Sequence, residues 1–261
     1  QVIPVPFFKS KNLLTGDPVE DVRLIKQLYG VEEVSRLQLA SCAPSLRRMS
    51  TSLKADERNI TAWLRYVQYQ SHPTKVSPFN LEVKDDLITE LKLLIRQNKN
   101  LTGQVQEALG DAGIKLIYEE KGSKTPIDGI SFWSNGSPAI GMTLRHSRLD
   151  NFAFTLFHEL GHVFLHLSEG PETEFVDFEA KFTEKSYVSD PREEEANHFA
   201  QNNLIAPDIW RKYVSRGFTF NDYIIRNMAE NAGIHPAVVK GRLCHELNNY
   251  KVRSSIENKI K

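Results

Sequence analysis

His158-Glu159-Leu160-Gly161-His162 places two imidazoles four residues apart with a carboxylate between them. On an α-helix such rings stand about 6 Å apart along the axis and ~40° apart around it, so both can reach one Zn²⁺ at roughly 2.0–2.1 Å. Glu159 then points beside the metal, where it can take a proton from a water activated by the ion and return it to a leaving amine. Two histidines and a carboxylate on one stripe are costly to bury unpaired, and a metal satisfies all three together. His166 continues the stripe by four more residues. It lies about 12 Å along the axis from His158, too far to share one coordination sphere, and it reads as a helix-end histidine that caps carbonyls or packs.

A third ligand has to come from elsewhere, and the acidic cluster Glu193-Glu194-Glu195 is the source the sequence offers. Pro191 suits the first turn of a helix and Asp190 its N-cap, which predicts a helix from about Arg192 to Leu204. On that helix Glu193, Ala196, Asn197 and Ala200 fall at i, i+3, i+4 and i+7, a single face. The two alanines allow a close approach to the metal helix, Glu193 reaches the ion, and Asn197 hydrogen-bonds a ligand imidazole from behind. Glu195 shares its face with Phe199 instead. The ranking is Glu193 first and Glu195 second, against the competing reading of a solvated charge run at a helix start.

The elements that must position these residues are legible in outline. Leu149 to Phe157 is apolar on nearly all sides, as in a buried central helix, with Asp150 as its N-cap. Ahead of it Ile114–Tyr118, Gly129–Phe132 and Ala139–Leu144 are strand-like runs separated by turns containing Gly, Pro and Asn. Residues 1–17 read as irregular, and Pro18 to Gln70 as several amphipathic helices, with Gly30 closing the first. The proline-punctuated stretch from His72 to Pro78 marks a domain boundary. Two further helices follow, the second ending at Gly113. Residues 168–190 read as a loop or short strands at the cleft mouth, either a lid or a plain connector. After Pro207 the chain is helical again, and Ala229 to Val239 has helix-turn-helix spacing that a packed helical hairpin explains equally well. These readings divide the chain into a helical N-terminal region (1–75), a metal-binding domain (76–207) and a helical C-terminal region packing on it (208–261).

Composition bounds the rest. The chain has 261 residues, 40% hydrophobic and 25% charged, enough for a substantial core. With 33 basic and 33 acidic residues it has no net field to gather nucleic acid. Cys42 and Cys244 lack metal-ligand spacing and suit free thiols in a reducing compartment. No apolar run of about 18 residues and no signal-like start points to a membrane or to secretion, so the expected location is cytoplasmic. His146, beside Arg145 and Arg148, and Tyr187 are minor candidates for an oxyanion contact.

Glu193-x-x-Ala196-Asn197-x-Phe199-Ala200, followed by Leu204-Ile205-Ala206-Pro207, resembles the signature downstream of HExxH in the ImmA/IrrE family of metallopeptidases. Gly129 to Trp133, Pro138 to Ile140 and Phe154 to Glu159 are similar to the strand, edge strand and helix leading into that family's active site, so the resemblance spans roughly residues 80–207. It implies an α+β fold with a zincin-like core: a small twisted sheet, the HExxH helix and a glutamate-ligand helix, flanked by helical N- and C-terminal segments. It implies a zinc ion on His158, His162 and Glu193, with Glu159 as the catalytic base. Leu28-Tyr29-Gly30-Val31, Ala62 to Arg65 and Gly233 to Leu243 are similar to longer proteins in which the peptidase-like domain follows a helix-turn-helix repressor domain, some of them HigA-type antitoxins. The DNA-binding part is expected to be missing from this chain, which begins at Gln1. The leading expectation is a zinc endopeptidase that cleaves a repressor-type regulatory protein or toxin–antitoxin component. The alternative is a non-hydrolytic regulatory or antitoxin module that keeps the fold.

Overall fold

The computed structural model describes residues 3–36, 56–120, 122, 124–144, 147–167, 174–178, 191–214 and 221–261, with the side chains of 177 and 178 left aside. His146, Tyr187, Asp190 and Cys42 lie outside the described residues. Among those described, no helix is long and apolar enough to cross a membrane.

Among the described residues three α-helices come first. α1 (Val5–Ser10) stands where an irregular start was expected. Its prolines explain this, because a fixed φ fits the first turn of a helix, and Phe7 and Phe8 are buried beneath it. α2 (Pro18–Tyr29) starts on Asp17, whose side chain accepts from Val19 N at 2.8 Å, and it ends on Gly30 in the left-handed region at φ 62°. That is the closure the sequence predicts. α3 (Glu57–Ser71) buries Ile60, Trp63, Leu64 and Val67, spaced i, i+3, i+4 and i+7.

After α4 (Lys84–Gln97) and α5 (Leu101–Asp111) the chain enters the sheet: β1 (Lys115–Tyr118), β2 (Ile127–Ser134) and β3 (Ser137–Met142). β2 and β3 form a hairpin through Asn135 and Gly136, both at positive φ (49° and 80°), the backbone that a two-residue Asn-Gly turn requires. β4 (Glu174–Phe178) lies within the stretch read as a loop or short strands and completes the order β1-β3-β2-β4. β1 pairs parallel with β3, while β2 pairs antiparallel with both β3 and β4. The stretch Pro138 to Ile140, which resembles an edge strand, is therefore interior. The hairpin occupies one side of β3 and β1 takes the other, a choice of neighbour that the alternation of side chains along a strand does not encode.

Helices cover both faces of the sheet, giving a mixed α+β molecule. On one side α1, α2 and α3 pack onto Ile117, Ile127, Ile130, Phe132, Ala139 and Val176. On the other lie α4, α5 and the long α6 (Leu149–Leu165), which carries the HExxH residues. α6 buries Phe152, Ala153, Leu156, Phe157, Leu160 and Val163, so it is enclosed on nearly all sides as its composition predicts. Asp150 does not cap it. The N-cap position is Arg148, and the Asp150 carboxylate instead takes a bond from Arg148 Nε at 3.0 Å.

α7 (Pro191–Leu204), α8 (Pro207–Val214), α9 (Asp222–Ala232) and α10 (Pro236–Glu246) complete the helical side. The α9–α10 hairpin turns at Gly233, but α10 buries Val238, Val239 and Leu243 in the main core and abuts the start of α6. The hairpin is thus packed on the main core. Residues 249–261 have no helix and run as a strap: Asn258 Oδ1 accepts from Asp150 N at 3.0 Å, and Lys261 O accepts from Leu101 N at 2.9 Å.

Candidate metal centre

α6 and α7 make the closest helix pair at the site, and small residues set their separation. A Cβ added at Gly161 would lie 2.9 Å from Ala196 Cα and 3.2 Å from Ala196 O, closer than packing allows. Glycine inside the HExxH motif is thus what lets α7 come near enough for a glutamate to reach the histidines. Ala196, Ala200 and Leu204 are buried along that contact.

The structure brings His158, His162 and Glu193 together, each offering one ligand atom within 4.8 Å of the others. The His158 and His162 Nε2 atoms are 3.1 Å apart, and Glu193 Oε2 lies 3.3 Å from the first and 3.6 Å from the second. A tetrahedral zinc with ligand bonds of 2.0–2.1 Å requires ligand atoms about 3.3–3.4 Å apart. The observed triangle brackets that value.

The outer ring nitrogens order the protons. Asn197 Oδ1 lies 3.1 Å from His158 Nδ1, and an amide oxygen only accepts, so that nitrogen carries the hydrogen and His158 Nε2 is left as a lone pair. Burial pushes the His162 imidazole down to about 4, with Glu193 opposing and His158 reinforcing the shift. For Glu193, burial alone would raise the carboxyl, but the two imidazoles outweigh it and hold it down to about 2. Two imidazole nitrogens and a carboxylate oxygen converging on one point are the donor set a divalent cation needs, and the imidazole protons that hold Glu193 down would leave as the ion binds.

Glu159 is wholly buried and faces β2. The Ser131 hydroxyl donates to its side chain, and a Cβ at Gly129 would come within 2.2 Å of Oε1, so only glycine leaves room for the carboxylate there. Gly129 and Ser131 alternate on the strand face towards α6, while Ile130 and Phe132 lie in the outer cluster. The resemblance of Gly129 to Trp133 to a family strand does not by itself assign Gly129 and Ser131 this role. The sequence signal for it is a glycine and a serine two apart, between Ile130 and Phe132, in a strand-like run.

Two residues sit differently from expectation. His166 does not merely cap or pack: its Nδ1 is 3.0 Å from His162 Nδ1 and its Nε2 is 2.9 Å from Glu195 Oε2. Glu195 therefore bonds the histidine that caps the C-terminus of α6, although it sits far around α7 from Glu193. Both glutamates flank Ala196, the residue in contact with Gly161, and so both reach α6 from opposite sides. Phe175 of β4, unremarked in the sequence, stacks on His162 with centroids 4.2 Å apart and planes at 11°.

A cleft of about 280 Å³ opens beside the centre, bordered by His158, Thr155, Asn197, Asp128, Phe154 and Tyr250. Asp128 reaches it because the β2–β4 register shifts between Ile127 and Gly129, an irregularity that re-aims side chains.

The sequence profile of the IrrE N-terminal-like domain, peptidase family M78, matches residues 110–244. The chain belongs to that family. The match runs from the end of α5 into α10 and so contains the sheet, α6, α7 and most of the residues that border the cleft. Membership in M78, the ImmA/IrrE family, makes this a metallopeptidase-type domain and implies a metal. Comparison with curated proteins returned no match.

Proposed function

We propose that this M78 domain is a zinc endopeptidase with a zincin-like core that acts on a repressor-type regulatory protein. The observation that carries the metal assignment is the triangle of ligand atoms between His158, His162 and Glu193, which has the dimensions of a tetrahedral zinc site. When bound, the ion polarises a peptide carbonyl and acidifies a water towards pKa ~7. Glu159, fixed between Ser131 and Gly129, takes the proton as water attacks and returns it to the departing amine. Asn197 holds His158 in the tautomer that presents Nε2 inward. The cleft beside His158 admits the substrate side chain. β4, whose Phe175 contacts His162, supplies the edge along which an extended peptide pairs.

By the family resemblance the substrate is a repressor cut in a linker, or a toxin–antitoxin component, in the cytoplasm. By the same resemblance, any DNA binding would be the work of a helix-turn-helix domain rather than of this metallopeptidase-type domain. Incubating the metal-loaded chain with a candidate repressor is the test. Wild type is expected to cleave it and Glu159→Gln to lose cleavage by at least ~10²-fold while keeping its metal, because the amide is nearly isosteric but takes no proton. Full turnover by Glu159→Gln contradicts the base assignment. Zinc uptake without cleavage of any repressor tested favours the non-hydrolytic module.

A further inference from the structure

We infer that His166 and Glu195 form a two-link relay that positions His162 for the metal, fixing its tautomer and orientation from the protein surface inward. The inference rests on the metal-site reading above and extends it to two residues outside the coordinating set.

The proton order follows from the acceptors. A carboxylate oxygen has no hydrogen to give, so His166 Nε2, 2.9 Å from the exposed Glu195 Oε2, donates to it. With its Nε2–H turned to Glu195, the His166 tautomer that continues the chain presents a bare Nδ1. That nitrogen lies 3.0 Å from His162 Nδ1, which must carry the hydrogen of this bond. His162 Nε2 is left as a lone pair aimed at His158 Nε2 and Glu193. The chain has one consistent polarity, from His162 through His166 to Glu195, and it yields the tautomer that metal binding requires.

The surroundings keep the relay in place. His162 is 1% and His166 2% exposed, so water does not compete for their nitrogens. Phe175 lies flat on His162 and its centroid is 5.4 Å from that of His166, which restricts both rings. His158 is oriented separately by Asn197 on α7. Each imidazole thus has its own outer partner, an amide for one and a histidine–carboxylate pair for the other.

Zinc affinity of the full chain, measured by competition with a chromophoric chelator, tests the relay. His166→Phe keeps the ring volume and removes the acceptor, and it is expected to weaken zinc by ~10–100-fold. His166→Asn places an amide oxygen on Cγ, where Nδ1 stands, and is expected to return affinity to within several-fold of wild type. Glu195→Ala should fall between them. Nitrogen-15 NMR of the metal-free protein at neutral pH gives a readout that a merely structural role would not move: His162 is expected as the Nδ1–H tautomer in wild type and as a mixture in His166→Phe. Should His166→Phe fail to fold, Glu195→Ala decides alone, since that carboxylate is exposed and its loss leaves the core intact. Equal zinc affinity in wild type, His166→Phe and Glu195→Ala overturns the relay and leaves the metal site standing. A wild-type chain that takes up no zinc contradicts the metal site itself.

Discussion

His162 and Glu193 contribute to the pH dependence of the metal-free protein, alongside His235, whose imidazole burial also lowers. The His162 imidazole is held at about 4 in the fold, burial being the main cause, against 6.5 when free. Between those values the unfolded chain binds more protons, so stability falls as pH drops from about 6.5 to 4. The Glu193 carboxyl, held at about 2 against 4.5, adds the same sign lower down: its contribution is present above 4.5 and is lost as pH falls towards 2. The melting temperature of metal-free protein should therefore fall steadily from pH 7 to pH 4, with a shallower slope in His162→Gln. A melting temperature that rises on acidification, or a slope unchanged in that variant, contradicts the burial-driven shift. At this scale the sequence was most informative: the i, i+4 histidines and the face shared by Glu193, Ala196 and Asn197 were readable from helical period alone. Glu195 was not. Its partner depends on which residue of the other helix lies opposite, and a single-helix projection carries no such term.

The decisive element contact is α6 against α7, where Gly161 meets Ala196. Gly161→Ala gains about 1 kcal/mol of helix propensity, yet its methyl would stand 2.9 Å from Ala196 Cα, a backbone atom that cannot swing aside. Overpacking of this kind costs about 1–3 kcal/mol and separates the helices, so the steric term wins. The variant is expected to melt several degrees lower and to bind zinc at least ~10-fold more weakly, because Glu193 moves away with α7. Unchanged zinc affinity in a calorimetric or chelator titration would show that the spacing is not set there. The three strands before α6 and the helices around them are legible as periodicity and as turns containing Gly, Pro and Asn, whereas the pairing of β2 with β3 through Asn135-Gly136 comes from the structure. The interior place of β3 and the pairing of β4 with β2 are not legible either, since strand neighbours are chosen by long-range packing.

Across the whole molecule the sheet is the divide. One face carries the N-terminal helices and their own apolar cluster, the other the main core, and the metal centre sits where α6, α7 and β4 meet. The ligands come from two helices far apart in sequence, so an ion bound to all three ties the folded state together and stabilises it by mass action. The N-terminal helices show how whole-molecule arrangement escapes a sequence reading: Trp63 and Val67 announce an apolar face, but nothing local says that β2 and β3 receive it.

Zinc stoichiometry in wild type and in Glu159→Gln, His158→Ala, Glu193→Ala and Glu195→Ala tests the central claim most directly. Elemental analysis after zinc loading and desalting is predicted to give about one ion per chain for wild type and Glu159→Gln, and little for His158→Ala and Glu193→Ala. Glu195→Ala is predicted to hold its ion with lowered affinity. A wild-type chain that leaves the column without zinc, or a Glu193→Ala chain that retains it while Glu195→Ala does not, would contradict the account.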